Sequence, residues 1–338
     1  MKRSIALLSL AAFSLLVAFF VAALVACTSG GGIAFAPPTP FPAPTLAAEY
    51  NTTTALSHPR GIVAGPDGNL WFDEIGVSKI GRITTGGTIT EFDTTTAASG
   101  PHDIAAGPDG NLWFTELSVS KIGKITTSGS VTEYNTTTAS ARPAGIAKGP
   151  DGNLWFTENL VSKIGKITTG GSVTEYNTTT ASAGPHGIVA GLDGNLWFCE
   201  EQASKIGKIT TSGSVTEYNT TTANSSPGFI AVGPDGNLWF TEEVASKIGK
   251  ITTGGTVTEY DTLTASAGPH DIVAGPDGNL WFTEANVDKI GRITTGGTVT
   301  EYNSATTTNS LPTAIAVGID GNLWFTEGRG DKVGKFLP

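Results

Sequence analysis

At 338 residues the chain exceeds the usual span of one hydrophobic core, so it holds either two ordinary domains or one large repetitive one. Glycine (44) and proline (18) are abundant, 15% of residues are charged, and seven Trp outnumber six Tyr and a single Met. A formal net charge of −10 repels phosphate backbones and excludes a basic nucleic-acid binder, while 39% apolar residues with evenly placed aromatics exclude a disordered chain. Two cysteines, Cys27 and Cys199, provide neither a disulfide framework nor a Cys-based zinc site.

Lys2 and Arg3 precede an apolar stretch from Ile5 to Ala26, interrupted by Ser9 and Ser14, which is the layout of an export signal. It ends Leu24-Val25-Ala26-Cys27, which is similar to a bacterial lipobox. Residues 1–27 are therefore expected to be a lipoprotein-type signal peptide, with Cys27 as the lipidation site. The alternative is an uncleaved membrane helix, because the 22 residues from Ile5 to Ala26 suffice to span a bilayer. Either way the remainder is expected to be exported and held at the outside of the cytoplasmic membrane, or at the outer membrane. Residues 28–45, rich in Gly and Pro, then read as a tether.

From residue 46 to 338 the sequence repeats. Trp stands at 71, 113, 155, 197, 239, 281 and 324, five intervals of 42 residues and one of 43. Each unit reads approximately G-P-x-G-I-x-x-G-P-D-G-N-L-W-F-T-E and then S-K-I-G-K-I-T-T-G-G-x-V-T-E-Y-N. In the third unit, strands are predicted at 145–148, 154–158, 163–168 and 172–176, with Asp151-Gly152-Asn153 and Thr169-Gly170-Gly171 as tight turns. Four antiparallel strands per repeat in seven repeats predict an all-β seven-bladed propeller. The last unit lacks a fourth strand, and Thr45 to Asn51 looks like that strand, so the N-terminus is expected to complete the last blade. Most of the acidity belongs to this template, since one Asp and two Glu recur in each unit.

Departures from the template are the candidates for function. The residue after the Pro that opens strand one should face the mouth of the central channel, and it reads Arg60, His102, Ala144, His186, Gly228, His270 and Thr313. Three imidazoles near one axis form a cluster suited to general-base or metal-ligand chemistry; the plainer reading is that each His bonds a loop or backbone carbonyl. The Glu closing strand two, from Glu74 to Glu327, is followed five residues later by a Lys, and a cross-strand ion pair is expected in each blade. Glu201 and Glu243 add a second carboxylate after that Glu, whereas the other blades carry different residues there. The Trp are expected to pack blade against blade, and Cys199 replaces a template Thr as a small core residue.

At W-F-T-E, K-I-G-K-I-T-T and T-E-Y the repeat resembles that of the virginiamycin B lyase family, across all seven blades. The resemblance implies a seven-bladed propeller that opens the ester of a cyclic depsipeptide by elimination, without water and with Mg²⁺. It also implies a site on two neighbouring blades. Gly184-Pro185-His186-Gly187-Ile188 places His186 at the base position, and Glu201, four residues after Trp197, stands at a metal position. Arg142-Pro143-Ala144 puts Ala144 where the family has a substrate-contacting His, and Gly184 stands where it has the other metal carboxylate. Arg142, His102 and His270 are expected to bind substrate. The functions left open are a membrane-tethered, monomeric Mg²⁺-assisted lyase, or a non-catalytic propeller that binds a small ligand or an envelope protein on its variable face. A bare scaffold is the third option.

Overall fold

The computed structural model describes residues 43–304 and 308–338. The expectations for residues 1–27, for Cys27 and for the tether up to residue 42 lie outside the described residues.

The repeat folds as its turn chemistry dictates. In the third blade the strands are Pro143–Lys148, Leu154–Glu158, Lys163–Ile167 and Val173–Asn177, each antiparallel to the next. Between the first two, Asp151 Oδ1 accepts from the Asn153 amide (3.2 Å) and from the Trp155 indole (3.0 Å), and Gly152 takes φ +76°. That left-handed backbone favours Gly, which is why the turn reads P-D-G-N. Strand two is buried along its whole length because a blade lies on each of its faces, whereas strand four alternates as an outer edge does.

The described residues form seven four-stranded sheets. Six are consecutive hairpins, and the seventh joins Thr45–Asn51 to the outer side of Lys332–Leu337, with Tyr50 opposite Val333. The ring is closed by the N-terminal strand, as the sequence predicts.

Trp residues hold neighbours together. Trp155 of the third blade packs with Ile188, Leu196 and Phe198 of the fourth, and stacks at 5.7 Å on Tyr176 of its own blade. Lys166 covers that pair from outside, 5.3 Å from the Trp155 ring. Gly165 is required by close approach, since a Cβ there would fall 2.1 Å from the Phe156 ring.

The repeated Lys does not pair with the Glu across its hairpin. Glu158 and Lys163 are opposite one another in register, but Lys163 Nζ lies 3.0 Å from Glu175 Oε2 and 2.7 Å from Thr138 Oγ1. Glu175 also accepts from the amides of Thr137 (2.7 Å) and Thr138 (2.9 Å), in the loop that leaves the preceding blade. Burial pushes the Glu175 carboxyl up, yet these donors outweigh it and bring it down to about 2. Glu158 lies beneath, fully buried, and no donor among the described residues reaches its oxygens. Burial and the adjacent Glu175 carboxylate raise it to about 8, so its proton is shared with Glu175. Lys thus goes to the carboxylate that is already ionised. The buried Glu recurs, with Glu116 and Glu242 raised to about 7 and Glu200 and Glu284 to about 8, and the Lys–Glu pair recurs with it except in the fifth blade, where Lys247 pairs with Asp261 at 2.6 Å. The N-T-T-T runs, which match a glycosylation sequon formally, are the loops of these interblade clasps.

Candidate functional site

Strand one of every blade lines the channel, and its first residues gather at one end. There a cavity of about 220 Å³ is lined by Arg60, His102, His186, Glu201, Glu243 and His270, with Arg142 exposed on the rim. The structure therefore brings together His102, His186, His270, Arg142, Glu201 and Glu243, while Thr313 lines a neighbouring cavity.

Each of the three imidazoles is fixed from behind by the next blade. Nδ1 lies 3.3 Å from the Ala144 carbonyl in His102, 3.3 Å from that of Gly228 in His186, and 3.1 Å from that of Thr313 in His270. A carbonyl only accepts, so Nδ1 carries the hydrogen and Nε2 is left with its lone pair. The plainer reading of these histidines and the chemical one hold together, since the backbone bond selects the tautomer a base requires. Burial, then the Arg60 charge, lowers all three imidazoles, His186 to about 4, and keeps them neutral at neutral pH.

Their Nε2 atoms differ. That of His270 accepts from Arg60 Nη2 at 3.1 Å and lies 3.6 Å from Glu243 Oε1. His102 is buried, and its ring meets the edge of His186 at 5.4 Å. His186 lines the cavity, and its Nε2 receives no hydrogen bond from the described residues. Phe229 fills the space between His186 (4.9 Å) and His270 (5.0 Å), completing an aromatic arc from the second blade to the sixth.

Arg60 crosses to this arc from the first blade. Burial lowers its guanidinium, while Asp73, Glu243, Asp103 and Glu201 all act to hold its charge. Asp73 stands where five of the other blades have Thr, whose hydroxyl bonds the carbonyl of the next blade, as Thr115 does to Ala144 at 2.7 Å. Burial and then Asp103 push Asp73 well above the usual carboxylate range. A neutral carboxyl there keeps a donor and an acceptor, as the hydroxyl does. Asp103 joins two blades, accepting from the amides of Ile104 and Ile146, both at 2.9 Å.

Arg60, Phe229 and Asp73 are site residues beyond those expected from the sequence. W-F-D-E in place of W-F-T-E was a signal for Asp73, and a Phe where other blades have Gly, Asp or Ala was one for Phe229.

The donors for Mg²⁺ are incomplete. Among the described residues no three of His, Cys, Asp and Glu cluster to hold a metal ion. Gly184, at the expected carboxylate position, has no side chain to offer a metal, and Gln202 Cγ lies 2.8 Å from where its Cβ would be. The carboxylates that do share the mouth, Glu201 and Glu243, share it with the Arg60 charge, which acts on both. A divalent ion would have to bind beside that fixed cation, and the residues present do not fit it.

The sequence matches the model of the virginiamycin B lyase family over residues 43–228 and 216–337. Among solved structures it is similar to a streptogramin B lyase, with 39% identity, 86% of this chain and 96% of the other covered, and a TM-score of 0.82. It is also similar to virginiamycin B lyase from Staphylococcus aureus, at 38% identity, 86% and 98% coverage and a TM-score of 0.82. A catalytically inactive His-to-Ala variant of the S. aureus enzyme, solved with quinupristin, matches with the same values.

Proposed function

The chain belongs to the virginiamycin B lyase family, and from that premise we propose that it opens a lactone or ester of a cyclic depsipeptide-like molecule by elimination, with His186 as the base. The observation that carries this reading is the fixed tautomer of His186, a cavity-lining residue whose Nδ1 is tied to Gly228 and whose Nε2 has no hydrogen-bond partner among the described residues.

In the reaction, Nε2 takes the proton from the carbon between a carbonyl group and the β-carbon that bears the ester oxygen. The C–H electron pair is delocalised onto the carbonyl oxygen, then forms the carbon–carbon double bond as the β-carbon–oxygen bond breaks. The carboxylate departs with its electron pair, and no water is consumed. His102, held edge-on to His186, positions the base. His270 and Arg142 border the cavity where the rest of the ring would lie. Glu201 serves here as counter-charge to Arg60. Part of this reading is that the enzyme works outside the cytoplasmic membrane, anchored through Cys27, so that a Cys27→Ser chain would be released into the medium.

The test is incubation of the mature chain with quinupristin, the compound solved with a 38% identical relative. Elimination yields a linear product of unchanged mass with a new conjugated double bond, whereas hydrolysis adds one water. Retention of the rate in His186→Ala would remove the proposed base. A second reading, a ligand-binding propeller without chemistry, is favoured by buried Ala144 at the family's substrate-His position. It predicts saturable binding of the ligand with no product.

A further inference from the structure

Resting on the reading above, we propose that Arg60 is the electrophile of this site: its guanidinium takes the substrate's carbonyl oxygen and does the work for which this chain lacks a complete set of metal ligands. Four observations on the channel mouth lead there.

The guanidinium is half-buried and makes one side-chain hydrogen bond among the described residues, from Nη2 to His270 Nε2 at 3.1 Å. Of its five N–H donors, four are therefore available to a ligand. It borders the same cavity as His186, so a carbonyl oxygen and the acidic C–H beside it can meet the two groups together. It is also held in place, bonded to His270 from the sixth blade and facing acids of four blades, Asp73, Asp103, Glu201 and Glu243. Finally, the position where a metal carboxylate would be needed is Gly184, which has no side chain, with Gln202 beside it.

A fixed guanidinium stabilises the negative charge that develops on the carbonyl oxygen when His186 removes the proton. The charge on oxygen is met by N–H donors already in place, so little reorganisation is needed. Burial, and after it the same cation, depresses His186 and keeps it unprotonated before substrate arrives. The step needs no co-reactant: the proton goes to His186, and the electron pair goes to the carbonyl oxygen and then to the new double bond as the carboxylate leaves. The substrate class that follows is an ester or lactone with an amide or ester carbonyl next to the acidic carbon. An isolated ester without that second carbonyl would not be opened.

The test compares the mature wild-type chain with Arg60→Gln and Arg60→Lys, each with quinupristin, in EDTA and in Mg²⁺. The expected result is opening by the wild type that survives EDTA within a factor of about two. Arg60→Gln should lose about 100-fold or more, mainly in kcat, with Arg60→Lys recovering part of it. Opening that requires Mg²⁺ upholds the lyase and overturns the role of Arg60, as does metal-free opening that Arg60→Gln leaves intact. No opening in either condition defeats the lyase reading, and the role of Arg60 with it. Two readouts do not depend on turnover. The His186 imidazole, followed by NMR, should titrate at higher pH in Arg60→Gln, which also shows the variant is folded. Mn²⁺ should not broaden that resonance saturably in the wild type; saturable broadening lost in Glu201→Gln would overturn the proposal.

Discussion

The interblade clasps and the channel mouth both bury carboxyl groups, and they solve the resulting cost in different ways. In the clasps one acid keeps its proton and the other is ionised by Lys and Thr donors, a solution local enough to be copied from blade to blade. At the mouth, Glu201 and Glu243 come from neighbouring blades and share the cavity with one cation, Arg60. The clasp is closed to ligands because every charge is answered inside the pair. The mouth leaves donors on Arg60 and a lone pair on His186 unanswered, and those are the groups that meet a substrate.

The sharpest way to break this comparison is to change one residue on each side. His186→Ala should lower lactone opening by about 10³-fold, within the usual range for a general base, while leaving the melting temperature within a few degrees. Glu175→Gln should do the reverse. Removing the ionised member of one clasp takes away charge-assisted bonds from Thr137, Thr138 and Lys163, and should lower stability by about 2 to 3 kcal/mol with activity unchanged. Denaturant unfolding and quinupristin assays on the same samples check both.

The pH dependences should separate too. Glu158 is raised from 4.5 to about 8, so the stability it contributes is complete below its unfolded value and is lost as pH rises through about 8. Glu175, brought down to about 2, contributes stability that is complete above its unfolded value and lost as pH falls through about 2. The clasps therefore favour the folded state most near pH 4 to 5. A variant with Glu158, Glu200 and Glu284 all changed to Gln should show a flatter loss of melting temperature between pH 5 and 9. His186 is lowered from 6.5 to about 4, so the acid limb of kcat/KM should lie near pH 4 rather than 6.5. The smallest effect expected is from Cys199→Thr, which restores the template hydroxyl and its bond to the next blade, with a gain of about 1 kcal/mol in denaturant unfolding.

Much of the ring was legible before any coordinate, because it follows from local rules repeated at a fixed period. Trp spacing gave the blade count, Asp-Gly-Asn the turn, and the orphan strand at Thr45–Asn51 the closure. Register follows from a hairpin short enough to leave one pairing. The three His and the two extra Glu were visible as departures from the template, and the topology brought them to one cavity.

What the sequence could not determine is which charged group answers which. Glu158 and Lys163 are opposite in register, and an ion pair between them is the natural expectation, yet Lys163 pairs with Glu175 because the preceding blade's Thr amides had already fixed that carboxylate as the anion. Arg60 lies 210 residues from His270, and no pattern along the chain announces their bond. Short-range order is set by backbone preferences that each residue carries with it. Partner choice among buried charges depends on desolvation and on donors from other blades, and these exist only once the ring has closed.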